Sequence, residues 1–223
     1  SNVYAQMSFE RFLRNHSIGI IIFLVAVMVI VVLVACHIIK DSRKIQKLMY
    51  KDTGMDIWNL NYLIYQGEAK ILPERRMQKY AVAILNISQF RRYNIIYGWN
   101  AGHKLLEAVA SNLQKNILGK DEICARNQGD RFVLLLSYQS QEAFLERLRK
   151  IEQETEEDIY RKTENHMTFQ MGVYLIPQDS SDMRLAVDYA TQAIEFMKDS
   201  RLSDVMFYDE NIEQALKQRH ERE

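Results

Sequence analysis

Between Ser17 and Ile39 the chain contains no Asp, Glu, Lys or Arg, and Ile18 to Ala35 is almost wholly Ile, Val, Leu, Ala, Met and Phe. A helix rises ~1.5 Å per residue, so about 22 such residues span ~33 Å, enough for the hydrocarbon core of a bilayer. A secretory signal would carry a shorter apolar core and a small-residue cleavage site, and neither is evident. A core helix of a soluble domain rarely goes so long without a polar residue. Residues 17–39 are therefore expected to form a transmembrane helix.

The flanks orient it. Lys40, Arg43, Lys44, Lys47 and Lys51 follow the apolar run against a single Asp41, whereas Arg11 and Arg14 precede it beside Glu10. The positive-inside bias places the C-terminal side in the cytoplasm, giving a single-pass protein of the inner (cytoplasmic) membrane. Residues 1–16 are too short to fold alone and read as an extracytoplasmic stub of a larger sensor. Residues 40–51 read as a juxtamembrane signalling helix. Ile38, Ile45 and Leu48 hint at a heptad, too sparse to define a helix pair.

The remainder has room for one domain. With 29 basic and 29 acidic residues the formal charge is zero, so no polycationic field points to nucleic acid. Cys36 and Cys124 lie far apart in unlike settings and read as unpaired thiols. His16, His37, His166 and His220 are scattered without metal-ligand spacing.

From residue 52 the pattern alternates. Residues 57–72 have helical spacing. Residues 80–87 (YAVAILNI) form a continuous apolar run typical of a buried strand. Residues 90–97 make a short helix closed by Gly98, and residues 101–118 a strongly amphipathic one with Leu105, Leu106, Val109, Leu113 and Ile117 on one stripe. Strands are expected at 122–127 and 131–136, joined by Gln128-Gly129-Asp130, which sets the Asp130 carboxylate at a hairpin tip. A charged helix (140–157), a strand (167–176), a helix (183–200), a strand (205–208) and a polar helical tail (212–223) complete the chain. This order implies an α+β fold with a central, mostly antiparallel sheet flanked by helices.

Four blocks then acquire meaning together. Asn86-Ile87-Ser88-Gln89-Phe90-Arg91-Arg92-Tyr93-Asn94, followed by Gly98, Gly102 and Leu105-Leu106, resembles the pattern DIDxFKxIN…G…GD.LL. Ala125-Arg126-Asn127-Gln128-Gly129-Asp130-Arg131-Phe132 resembles ARxGGDEF, Asp52-Thr53-Gly54-Met55 resembles LTGL, and Ala190 to Lys198 resembles a late ALYxAK helix. In this order and at these separations the chain resembles a GGDEF domain over residues 52–209, with residues 210–223 as a C-terminal connector helix. The resemblance implies a fold like the palm of nucleotidyl cyclases and polymerases. Active members of that family condense two GTP molecules into cyclic di-GMP across a dimer, so a homodimer is also implied.

The family's chemistry resembles two-metal phosphoryl transfer, with carboxylates holding the cations. Here the first carboxylate position is Asn86, and the acidic pair of the turn is Asp130-Arg131, leaving Asp130 alone as a candidate metal ligand. Opposite unit charges ~4 Å apart interact by ~4 kcal/mol at an effective dielectric of ~20, and an arginine reverses the sign of that interaction for a nearby Mg²⁺. Gln128 replaces the first glycine of the turn, and His103 the guanine-contacting Asp. The product-inhibition motif RxxD falls on Gly119 to Glu122 and is absent, and Leu202 stands where an Arg is expected. No catalytic set is therefore expected.

What survives implies guanine-nucleotide binding: Asn94 toward the base, Gly129 and Asp130 in the turn, and Lys198 toward phosphate, with His103 and Arg131 at altered positions of the same site. Phe90 and Phe132 read as core anchors. Arg131 has two readings, a fork for phosphate oxygens that stands in for Mg²⁺, or a side chain pointing to solvent or paired with Asp130. The expected function is a regulatory domain that binds GTP or relays a signal to an EAL-type phosphodiesterase domain, in the same chain or another. The alternatives are a weak or altered cyclase and a ligand-free dimerisation scaffold.

Overall fold

The computed structural model describes residues 2–71, 73, 78–180, 182–200 and 205–220, save some side chains, Lys198 among them. The chain divides into two compact units, Ser1–Leu48 and Met49–Glu223. Helix α1 runs without a break over Asn2–Tyr50. It is the one helix among the described residues long and apolar enough to cross a membrane. Ile21 to Val34 expose their apolar side chains throughout, as a lipid-facing helix does. Residues 2–16, read as a stub, are helical within α1, and the expected division at residues 39 and 40 leaves no mark in it.

The second unit is a six-stranded mixed sheet in the order β1-β3-β4-β2-β5-β6. Its strands are β1 (Trp58–Asn59), β2 (Lys79–Ile87), β3 (Ile123–Arg126), β4 (Arg131–Tyr138), β5 (Phe169–Leu175) and β6 (Val205–Phe207). The inner pairings β3–β4, β4–β2 and β2–β5 are antiparallel, and the outer pairings β1–β3 and β5–β6 are parallel. Helices α2 (Leu60–Gln66), α3 (Phe90–Tyr97), α4 (Trp99–Lys115), α5 (Gln141–Thr163), α6 (Met183–Ser200) and α7 (Glu210–His220) complete it.

Successive strand residues alternate between two cores. Ala81, Ala83 and Leu85 of β2 pack with Leu105 and Val109 of α4 and with Leu148 of α5. Val82 and Ile84 pack with Leu63 of α2 and with Ala190 and Ile194 of α6. Gly172 makes the second packing possible: a Cβ there would lie 2.1 Å from the Ala190 carbonyl oxygen. Helix α6 runs antiparallel to β5, with Tyr189 against Tyr174 and Ile194 against Gly172.

The uniform helix expected over 57–72 is divided. Trp58 and Asn59 pair with Ala125 and Arg126 as β1. Asn59, still extended, caps α2 by accepting the Tyr62 amide at 3.1 Å, and its own side-chain amide donates to the Met49 and Lys51 carbonyls. A π turn, Gly67–Ile71, follows α2. The C-terminal helix, expected as a polar tail from 212 within a connector over 210–223, starts at Glu210, and its Ile212 is buried.

Candidate functional site

At one end of the sheet three strands place polar residues in a row. Asn86 of β2 lies opposite Arg131 of β4 and opposite Gln170 of β5. Strand alternation puts all three on the α2 and α6 face, one step beyond Ile84, Val133 and Gly172. A cleft of about 540 Å³ opens there, lined also by Ser88, Arg91 and Asp130. Asn86 is buried at its base, and Arg131 and Gln170 are half-buried. Gln89, also on the rim, sits in the left-handed region at φ 57° as α3 begins.

The turn between β3 and β4 is held from behind. Asn127 donates its amide to the Arg131 carbonyl at 2.9 Å, and the Arg131 amide donates to the Gln128 carbonyl at 3.3 Å. Gly129 supplies the positive φ (65°) that the turn needs, while Gln128 is exposed. Arg126 donates from Nε and Nη2 to the Gly129 carbonyl, at 3.2 and 2.8 Å, and from Nη1 to Asp52 Oδ1 at 3.0 Å. That same Asp52 oxygen accepts the Gly54 and Met55 amides. One guanidinium thus locks the Asp52-Thr53-Gly54-Met55 segment to the turn.

Neither Asp130 nor Arg131 forms an ion pair among the described residues, so the two do not neutralise each other. The cleft carries two guanidinium groups, Arg91 and Arg131, and one carboxylate, Asp130. Mg²⁺ at a phosphate site is ordinarily held by one or two carboxylates together with the phosphates themselves, and a pair of cations needs more than the one carboxylate, Asp130, that lines this cleft among the described residues. Among the described residues no group of three or more His, Cys, Asp or Glu is placed to hold a metal ion. The residues present do not fit a two-cation centre.

The other sequence candidates lie around this cleft unequally. Asn94 of α3 is buried, and its Oδ1 has no hydrogen-bond partner. It packs on Gly102, where a Cβ would lie 1.7 Å from that oxygen and 3.3 Å from Phe90 Cζ. His103 is turned elsewhere: Nε2 is 3.1 Å from the Gly54 carbonyl and Nδ1 is 3.5 Å from Glu107, and it does not line the cleft. Phe132 is fully buried and Phe90 packs against the same core, as anchors should. Lys198 belongs to α6, but its side chain and all of Leu202 lie outside the described residues.

In the segment Gly119 to Glu122 the first three residues are exposed and Glu122 alone turns inward. Glu122 accepts two short bonds from Arg147 (2.6 and 2.7 Å), the Leu118 and Gly119 amides, and the amide and hydroxyl of Ser137. Burial alone would raise its pKa, but these donors outweigh it and hold the carboxyl at about 2, well below 4.5. Sequence reading missed Arg91, Gln170 and this pair. The one signal for Gln170 was a lone amide in the strand FQMGVYL.

A family model described as "Diguanylate cyclase, GGDEF domain" matches residues 50–203. The probable diguanylate cyclase DgcT of Escherichia coli K12 is 24% identical over 185 residues, covering 83% of this chain. The chain spans 38% of the length of that relative. Among solved structures, the coiled coil and GGDEF domain of DgcB from Caulobacter crescentus in complex with c-di-GMP superposes with a TM-score of 0.66. It is 15% identical and covers 82% of this chain and 98% of its own. The S helix-GGDEF-EAL structure of Vibrio cholerae LapD, bound to c-di-GMP, gives 0.58 at 19% identity, covering 75% of this chain and 39% of its own.

Proposed function

Because the chain belongs to the GGDEF domain family, we propose that it is the non-catalytic, nucleotide-binding regulatory domain of a membrane-anchored cyclic di-GMP signalling protein. The observation that carries this reading is the row Arg131, Asn86 and Gln170, in which three adjacent strands present hydrogen-bond donors and no carboxylate. Two-metal phosphoryl transfer has no ligand set among the described residues, where a cation in the cleft would meet two arginines and a single Asp130. Nucleotide binding asks for less. Phosphates are met by the donors of the cleft, while Asn94 and Lys198 enter this reading only through the sequence pattern, since the Asn94 Oδ1 is buried against Gly102. Asp130 lines the rim, and Gly129 shapes the turn that carries it.

Anchoring is supported by α1, whose apolar surface is long enough for a bilayer, and a cytoplasmic domain by the basic residues that follow it. Relay to an EAL-type phosphodiesterase domain is supported by the chain's likeness to LapD, in which GGDEF and EAL domains share one chain. A protein partner or a second copy is also favoured by Ile95, Ile96, Tyr97 and Trp99, which stand 77%, 60%, 50% and 81% exposed on adjoining turns of α3 and α4.

Incubating the purified chain with GTP and Mg²⁺ tests the reading. No cyclic di-GMP should accumulate above a heat-denatured control. Steady product formation that scales with the amount of protein would falsify it in favour of an altered cyclase.

A further inference from the structure

We propose that the cleft at Arg131 binds the polyphosphate of a nucleotide without a divalent cation, the guanidinium groups taking the charge-neutralising place of the metal. This rests on the nucleotide-binding reading above and adds how the phosphates are held. A polyphosphate is ordinarily bound with Mg²⁺ because its negative oxygens repel one another and need a compact positive charge between them. Here that place is flanked by Arg131 and Arg91, beside the neutral polar side chains of Asn86, Ser88 and Gln170 and the single carboxylate Asp130.

Three features point the same way. Arg131 is fixed by its β4 backbone pairing with Asn86, so its Cα position is set by the sheet rather than by a loop. Its guanidinium has no carboxylate within ion-pair distance among the described residues, although Asp130 is its immediate neighbour, so the fork is available to an incoming oxyanion. Asn86 and Gln170, side by side on β2 and β5, bring amide donors that bind phosphate oxygens and do not hold Mg²⁺ strongly. A planar guanidinium meets two oxygens of one phosphate at once, which suits a terminal phosphate. The two arginines against one carboxylate leave the cleft net positive, so it attracts the polyphosphate and repels the cation.

Isothermal titration of the detergent-solubilised full chain with GTP, in excess Mg²⁺ and in EDTA, tests this, with inorganic triphosphate as competitor. The expected result is a Kd in EDTA within about threefold of that in Mg²⁺, displacement by inorganic triphosphate, and weakening by about tenfold or more in Arg131→Gln. Arg131→Lys, which keeps the charge, should recover part of that loss. The double variant Asn86→Asp with Arg131→Glu restores carboxylates and should bind GTP only when Mg²⁺ is present. Binding confined to Mg²⁺ in the unaltered chain overturns the metal-free proposal while leaving the nucleotide site standing. Binding in EDTA that Arg131→Gln does not alter, in a variant with an unchanged unfolding temperature, overturns the role of Arg131. No binding in either buffer removes the nucleotide reading itself.

Discussion

Glu122 and Arg147 meet fork to fork, the two guanidinium nitrogens lying 2.6 and 2.7 Å from the two carboxylate oxygens. The Glu122 side chain is 1% exposed and that of Arg147 24%. The pair pins the loop after α4 to β4 and α5, because Arg147 also donates to the Asn116 carbonyl and Glu122 accepts from Ser137. Removing one partner strands the other, so Arg147→Ala should cost about 3–5 kcal/mol in chemical denaturation.

The same pair predicts an acid limb. The Glu122 carboxyl titrates at about 2 in the fold and near 4.5 when exposed. Its folded pKa is depressed, so the stabilisation is fully present above about pH 4.5 and is lost as pH falls toward 2. With ~1.4 kcal/mol for each pH unit separating the two titrations, the loss is on the order of 3 kcal/mol. Glu122→Gln should flatten that part of the stability profile. An equally steep acid limb in the variant would assign it to other carboxylates.

Two glycines make opposite predictions about what gives way. A Cβ on Gly172 meets the backbone oxygen of Ala190 at 2.1 Å, so Gly172→Ala should destabilise by roughly 2–4 kcal/mol through the separation of α6 from the sheet. A Cβ on Gly102 meets the side chain of Asn94 instead. Gly102→Ala should therefore cost about 1–3 kcal/mol, and Asn94→Ala in the same chain should restore much of it, a coupling measurable by a double-mutant cycle.

Arg126 joins the β3–β4 turn to Asp52 through three hydrogen bonds. Arg126→Lys keeps the charge but not the fork. It should lower stability by about 1–2 kcal/mol and weaken GTP binding, because the turn that carries Asp130 and Arg131 is no longer held. Unchanged affinity in Arg126→Lys would show that the turn is rigid without its brace.

Much of this fold could be read from residue patterns. The apolar run YAVAILNI, the amphipathic stripe of α4 and the Gly98 stop after α3 each have one cheap structural solution, and β2, α4 and α3 match them. β1 escaped because two residues carry no periodicity. What makes it a strand is pairing to β3, and what ends it is the Asn59 cap. The site was legible in part for the same reason. Asn86, Asp130 and Arg131 stood out as replacements within a recognisable pattern, and the sheet register brings them into one cleft. Gln170 joins it only through strand pairing, which spacing along the chain does not encode, and Arg91 through the turn that leads from Asn86 into α3. His103 sat at a familiar position, yet its ring is taken up by Gly54 and Glu107.

Equilibrium dialysis of the chain against labelled GTP and Mg²⁺, followed by identification of the nucleotide the protein retains, decides most directly between a regulatory site and an enzyme. GTP recovered intact, at a stoichiometry approaching one per chain, is the predicted result. Recovery of cyclic di-GMP, or retention of no nucleotide, would contradict it.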